Sequence, residues 1–240
     1  MTTAAPVSGT RTTARVAGTF YLITFVSSIP ALILLGPVLH NADYIVSGGA
    51  DTRVLCGALL DVVNAFAGIG TAVTLFPVVK RQNEAAALGF VTSRVVEAAV
   101  ILIGVVCLLA VVTLRQDLAG STGADTATLV ITGKALVAVR NWTFLLGPGL
   151  MPAVNALLLG SLLYRSRLVP RVIPAIGLAG APLLVVSFIA TLFGYLGQVS
   201  AWAGVLTVPV AVWEFTVGVY LVVKGFNAAP ATTAVDRPVR

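Results

Sequence analysis

The chain has 240 residues, 58% of them hydrophobic and 10% charged, with a mean hydropathy of +1.01. An ordinary soluble domain is about one quarter charged, so a water-soluble fold of this size would lack the polar residues to cover itself, and the composition indicates a membrane protein. The net charge of +6 comes from short basic clusters between apolar runs, not from a stripe on a polar domain. That pattern argues against nucleic acid as a partner and makes the basic residues orientation signals for a lipid bilayer.

The first thirteen residues, 1–13, are Thr/Ala/Pro-rich and read as a disordered terminus, as does the tail 227–240. Between them, residues 14–226 form a single membrane domain with six windows long enough to cross about 30 Å of hydrocarbon. They run from Val16 to Leu39, Val54 to Val79, Leu88 to Leu114, Leu136 to Tyr164, Val172 to Phe193 and Ala201 to Val223. Lipid offers an open backbone no hydrogen bonds, so each span must be a helix, and the predicted fold is an all-α polytopic bundle of six helices. The first apolar stretch exceeds the length of a signal-peptide core and no small-x-small cleavage site follows, so it reads as a retained span.

Lys and Arg are distributed unevenly between the two sides of such a bundle. Ten fall on the side of both termini, including Lys80, Arg81, Arg165, Arg167 and Arg171, against Arg53, Arg115 and Lys134 on the other. The excess predicts cytoplasmic N- and C-termini. The longest connection, Arg115 to Ala135, reads as a turn on the far side, with Asp125 an N-cap for the helix that follows. Cys56 and Cys107 lie in apolar runs and read as small buried hydrophobes. A single histidine, His40, cannot build a zinc site, so neither a metal nor a cofactor is expected.

Five charged residues fall inside the spans: Asp61, Arg94, Glu97, Arg140 and Glu214. A charge at mid-bilayer costs about 2.5 to 3.5 kcal/mol even on lenient scales, so each should turn inward and find a partner. At about 1.5 Å of rise per residue, Arg94, Glu97 and Glu214 share a level in the cytoplasmic half, whereas Asp61 and Arg140 form a second candidate pair in the outer half. If each Arg pairs once, one carboxyl is left over, and a low dielectric favours its protonated form. The count fits a proton relay, but two buried ion pairs already account for four of the five charges, which favours a static network that fixes helix packing.

The fourth span carries "GPGLMP", Gly147 to Pro152, near its midpoint. Proline removes a donor and clashes with the preceding turn, and the flanking glycines loosen the helix, so a kink or local unwinding is expected. Broken backbone at that depth needs protein cover or a wet cavity. Gly147, Pro148, Gly149, Asn64, Asn141, Asn155 and Trp213 are the candidate lining. Spans one and four, and three and six, enter from opposite sides, as in inverted-repeat transporters, though the halves share little sequence. No G-x-S-x-G, H-E-x-x-H or P-loop is present, so an enzyme is unsupported and no catalytic residue is assigned.

Three segments carry a likeness: "ARVAGTFYLITFVSSIPAL" from Ala14, "YRSRLVPRVIPAIGLAGAPLL" from Tyr164 and "PVAVWEFTVGVYLVVKGF" from Pro209. Together they resemble the bacterial multi-spanning proteins grouped as domain-of-unknown-function family 4386, over about Ala14 to Phe226. The resemblance implies six helices in a bacterial plasma membrane and no established activity. Its pattern includes a tryptophan and glutamate matching Trp213 and Glu214, and a basic loop matching Arg165, Arg167 and Arg171.

The resulting expectation is an integral membrane protein whose buried charged network binds a small ligand, ion or proton. The alternatives are a secondary transporter with its site at the broken fourth span, an intramembrane enzyme acting on lipid-like substrates, and an accessory membrane subunit. The lipid bilayer is the one partner the sequence names, with a small-molecule, ion or lipid ligand open and any protein partner unspecified.

Overall fold

A computed structural model describes residues 7–41, 43–47, 49–118 and 125–227, which form helices with no strand among them. In chain order these are α1 (Val7–Leu34), α2 (Gly36–His40), α3 (Asp51–Val79), α4 (Glu84–Leu118), α5 (Thr126–Leu146), α6 (Met151–Ser166), α7 (Val172–Leu192) and α8 (Ala201–Val223). Six segments are long and apolar enough to cross a membrane, with α5 and α6 together making one of them. Large apolar side chains remain exposed on every span, among them Val26, Leu59, Val106, Ile131, Val186 and Phe215. In water such a surface would aggregate; in hydrocarbon it costs nothing.

The spans close into a ring in chain order. α1 packs on α3, α3 on α4, α4 on both α5 and α6, α6 on α7, α7 on α8, and α8 returns to α1. Two faces result. One, the basic face, gathers residues 80–83, the loop 167–171 and the end of α8; there Asn227 donates from its backbone to the Leu168 carbonyl at 2.8 Å and from Nδ2 to the Arg167 carbonyl at 3.0 Å. That clamp holds the left-handed Arg167 (φ 56°), which ends α6. The opposite face carries residues 43–47 and 193–200, and Arg115 ties α4 to it through Asp51 and the Ser47 carbonyl.

Two helix starts on the opposite face, those of α5 and α8, are capped as short polar residues cap them in general. Asp125 Oδ1 accepts from the Ala127 amide, and Ser200 Oγ accepts from the Ala203 amide. Tyr195 and Trp202, exposed at 83% and 70%, stand at this rim as amphipathic rings do at a membrane interface.

Three expectations need revision. α1 starts at Val7, inside the stretch read as disordered; the rest of that stretch, 1–6, and 228–240 of the tail lie outside the described residues. Cys56 is exposed on the outer surface of α3 rather than buried, because the helix turns its small residues Gly57 and Ala58 inward instead. The connection read from Arg115 to Ala135 is shorter, since α4 runs on to Leu118 and α5 already begins at Thr126.

The fourth span does break. A continuous helix over residues 126–166 would reach about 60 Å, twice the hydrocarbon thickness. Turns replace helix at residues 147–150. Pro148 has no amide to give, the Gly149 amide goes to the Phe144 carbonyl at 3.0 Å, and the Leu150 amide goes to the Gly147 carbonyl at 3.1 Å. The Leu145 and Leu146 carbonyls therefore lose the amides that a helix would send them. Gly149 is required here, since a Cβ on it would stand 2.4 Å from the Leu145 carbonyl oxygen.

Candidate functional site

Arg94 occupies the axis of the ring. It is 4% exposed and its guanidinium is held from several directions. Nη1 donates to Glu97 Oε2 at 3.0 Å, one turn along α4, and Nη2 donates to Glu214 Oε1 at 2.5 Å across the bundle on α8. The α1 ring of Tyr21 lies 5.4 Å from its guanidinium carbon, and Phe90 lies 5.8 Å away. Gly68 of α3 makes room for its stem. From α6, Asn155 Nδ2 donates to Glu97 Oε2 at 2.8 Å. Five of the six spans thus meet around Arg94 and its partner Glu97.

Local sequence explains the convergence. Arg94 and Glu97 stand three apart on one helix face and so meet without help from the fold. Glu214 follows Trp213, which is fully buried against α7, where a Cβ on Gly177 would lie 2.4 Å from the indole Cδ2. The packed indole fixes the rotation of α8 and points the next residue inward.

Two carboxyls share one guanidinium, and both carry an oxygen, Glu97 Oε1 and Glu214 Oε2, that no described residue bonds. Tyr21 Oη, Arg94 Nε, Asn155 Oδ1 and Trp213 Nε1 are buried around them without a hydrogen-bond partner among the described residues. Beside them, Asn64, Gly68, Arg94 and Glu97 line a void of about 10 Å³, about the space that one water needs.

Asp61 and Arg140 form a separate pair in the half nearer the opposite face. Their charged atoms are 3.6 Å apart, an ion pair beyond hydrogen-bond length, and Arg140 also lies 4.5 Å over the Phe144 ring. A second void of about 10 Å³ touches Asp61, Arg140, Thr143 and Pro148.

The seven lining candidates do not share one cavity. Asn64 borders the void by Arg94, while Asn141 lines a space of about 260 Å³ at the opposite face with His40 and Lys134. Pro148 and Gly149 line a wedge of about 320 Å³ between the broken span, α7 and α8. Gly147 is buried against α4, Asn155 is committed to Glu97, and Trp213 is fully buried; none of these three is in those walls. The reason is packing: charge pairing and the indole fill the centre, so the break opens outward. No carboxylate lines the wedge.

Sequence reading missed Tyr21 and Ser187. Tyr21 is a lone phenol inside an apolar run, a signal of the same kind as the charged residues but weaker. Ser187, also alone in an apolar run, is 4% exposed in the wall of the wedge. No group of metal-binding side chains occurs among the described residues.

No curated protein and no solved structure matches the chain. Residues 16–225, most of its length, match the family described as domain of unknown function DUF4386, and the chain belongs to that family.

Proposed function

We propose that this integral membrane protein carries an exchangeable proton on the Glu97–Arg94–Glu214 triad. The observation that supports the reading is one guanidinium between two buried carboxyls, each with an unbonded oxygen. With both carboxyls ionised the triad holds one negative charge in excess, since Asp61 and Arg140 neutralise each other. Such a charge is costly in hydrocarbon, and a proton is the smallest species that removes it. The protonated carboxyl then needs an acceptor, and Asn155 Oδ1 is buried without a donor among the described residues. Room for one water beside Glu97 gives the proton a way on and off.

Infrared difference spectroscopy of the protein in lipid tests this. A protonated-carboxyl band is expected at neutral pH and should vanish in both Glu214→Gln and Glu97→Gln, because either change leaves a neutral Arg–carboxylate pair with no need of a proton. A wild type without the band, or a band that survives both changes, would refute the reading. We assign the basic face to the cytoplasm of a bacterial plasma membrane, supported by the excess of Lys and Arg there.

A second reading, a secondary transporter, is favoured by the break in the fourth span, which leaves backbone carbonyls without their helical amides beside the wedge. Substrate-linked flux in reconstituted vesicles is its test.

A further inference from the structure

We infer that the wedge beside the broken fourth span is a binding site for a small, neutral, mostly apolar molecule bearing a hydroxyl group. The inference deepens the transporter reading by naming a ligand class; it rests on that reading for the location of the site, not for transport.

The wedge exists because the two halves of the fourth span part company. α6 packs on α7, whereas α5 packs on α4 rather than on α7 or α8, so the space between α5 and that pair is left open. Gln198 bridges the rim, donating from Nε2 to the Asn141 carbonyl on α5 at 2.7 Å. Below it lies a space of about 320 Å³, within the range of small-molecule pockets.

The walls specify the occupant. Most are apolar, including Leu32, Phe144, Leu184, Phe188 and Val208, and none carries a charged side chain. An ion would enter without a counter-charge, so the ligand is neutral. Two features ask for a hydrogen-bonding head. Ser187 is 4% exposed and its hydroxyl bonds to no described residue. Leu145, also in the wall, has a carbonyl stripped of its helical amide partner, standing beside Gly149. A hydroxyl can donate to that carbonyl and accept from the serine. A carboxylate would meet the carbonyl oxygen with like polarity, and a hydrocarbon would leave both groups unsatisfied.

Gly204 supplies a clean control. It lines the wedge and a Cβ there would meet nothing within 4 Å, so a larger side chain can fill the space without pushing on its neighbours.

The probe is a diazirine-bearing octanol, photolysed with the protein in lipid nanodiscs and mapped by mass spectrometry. Labels are expected on peptides covering residues 144–149 and 184–191. Unlabelled 1-octanol should compete about fivefold to tenfold better than octane or octanoate, the value of about one satisfied hydrogen bond. Ser187→Ala should shrink that advantage, and Gly204→Leu should abolish the wedge labels while melting like the wild type. Equal competition by octane overturns the ligand class. Labels insensitive to Gly204→Leu, or an octanol advantage unchanged by Ser187→Ala, overturn the site, and the serine variant serves alone if the leucine variant does not fold. Labelling reads occupancy without flux, so vesicles that show no transport of a bound alcohol would remove the transporter reading and leave the site standing.

Discussion

Asn155 and Arg94 bond the same oxygen of Glu97, at 2.8 Å and 3.0 Å, leaving the other oxygen of that carboxyl without a partner among the described residues. The arrangement is one-sided: the amide and the guanidinium both support a negative Oε2, while Oε1 is free to take or lose a proton. Asn155→Leu should cost about 1.5 to 3 kcal/mol of stability, the range for a hydrogen bond to a charged group. The cost should shrink in a Glu97→Gln background, because the charge that made the bond strong is gone. A double-mutant cycle on thermal unfolding in detergent measures this coupling; strict additivity would mean that the amide stabilises the bundle some other way.

Arg94 and Glu214 should respond very unequally to substitution. Removing the guanidinium strands two carboxyls in a low dielectric, and breaking a buried pair in this way costs about 3 to 5 kcal/mol. Arg94→Met is therefore expected to unfold at much lower temperature or fail to accumulate. Glu214→Gln keeps an acceptor for Arg94 and leaves one Arg–carboxylate pair, so it should melt close to the wild type. Equal losses in the two variants would contradict the charge count on which the triad rests.

These residues were legible in the sequence because charge in an apolar run is a loud signal and the three-residue spacing of Arg94 and Glu97 fixes a shared face. Asp61 and Arg140 were legible as a pair for the same reason. The break at Gly147 to Leu150 followed from Pro148 and its glycines. What periodicity could not supply was rotation about the helix axes. Trp213 was read as cavity lining, yet contact with Gly177 buries it completely, and Cys56 was read as buried, yet faces outward. Both depend on which face of a nearly all-apolar helix meets its neighbour, and such a helix carries little pattern to say so.

The indole contact makes its own prediction. A Cβ on Gly177 would overlap Trp213, and neither the α7 backbone nor a fully packed indole has space to retreat. Gly177→Ala should cost about 1 to 3 kcal/mol, as overpacked cores do. Because Trp213 fixes the rotation of α8, the variant should also alter the infrared carboxyl band. Wild-type melting with an unchanged near-ultraviolet signal would show that the close approach is not needed.

The start of α5 should be acid-sensitive. Asp125 Oδ2 accepts from Thr128 Oγ1 and Oδ1 from the Ala127 amide, and these bonds hold its carboxyl below the usual range. With the folded value below the unfolded one, the cap stabilises the helix above the unfolded value and loses that contribution as pH falls through the folded one. The protection factors of the Ala127 and Thr128 amides, exchange rates taken relative to the unstructured chain at the same pH, should fall in that acid window, and in Asp125→Ala they should be low and independent of pH across it. A pH response that persists in the alanine variant would place the titrating group elsewhere.

Orientation is the remaining expectation with a decisive measurement. Gln82 lies exposed in the connection between α3 and α4 on the basic face, and Gly197 lies exposed in the connection between α7 and α8 on the other. In a background with Cys56→Ala and Cys107→Ala, a single Gln82→Cys or Gly197→Cys reports one face each. A membrane-impermeant maleimide added to intact spheroplasts should label Gly197→Cys at once and Gln82→Cys only after lysis. Gly197 tolerates the change, since its Cβ would meet the Ser200 Cβ at an ordinary 3.7 Å. The reverse pattern would put the Lys- and Arg-rich side outside, against the rule that orients short-looped membrane proteins. In that event the wedge would open toward the cytoplasm, and a hydroxylated ligand would enter it from the inner leaflet rather than the outer.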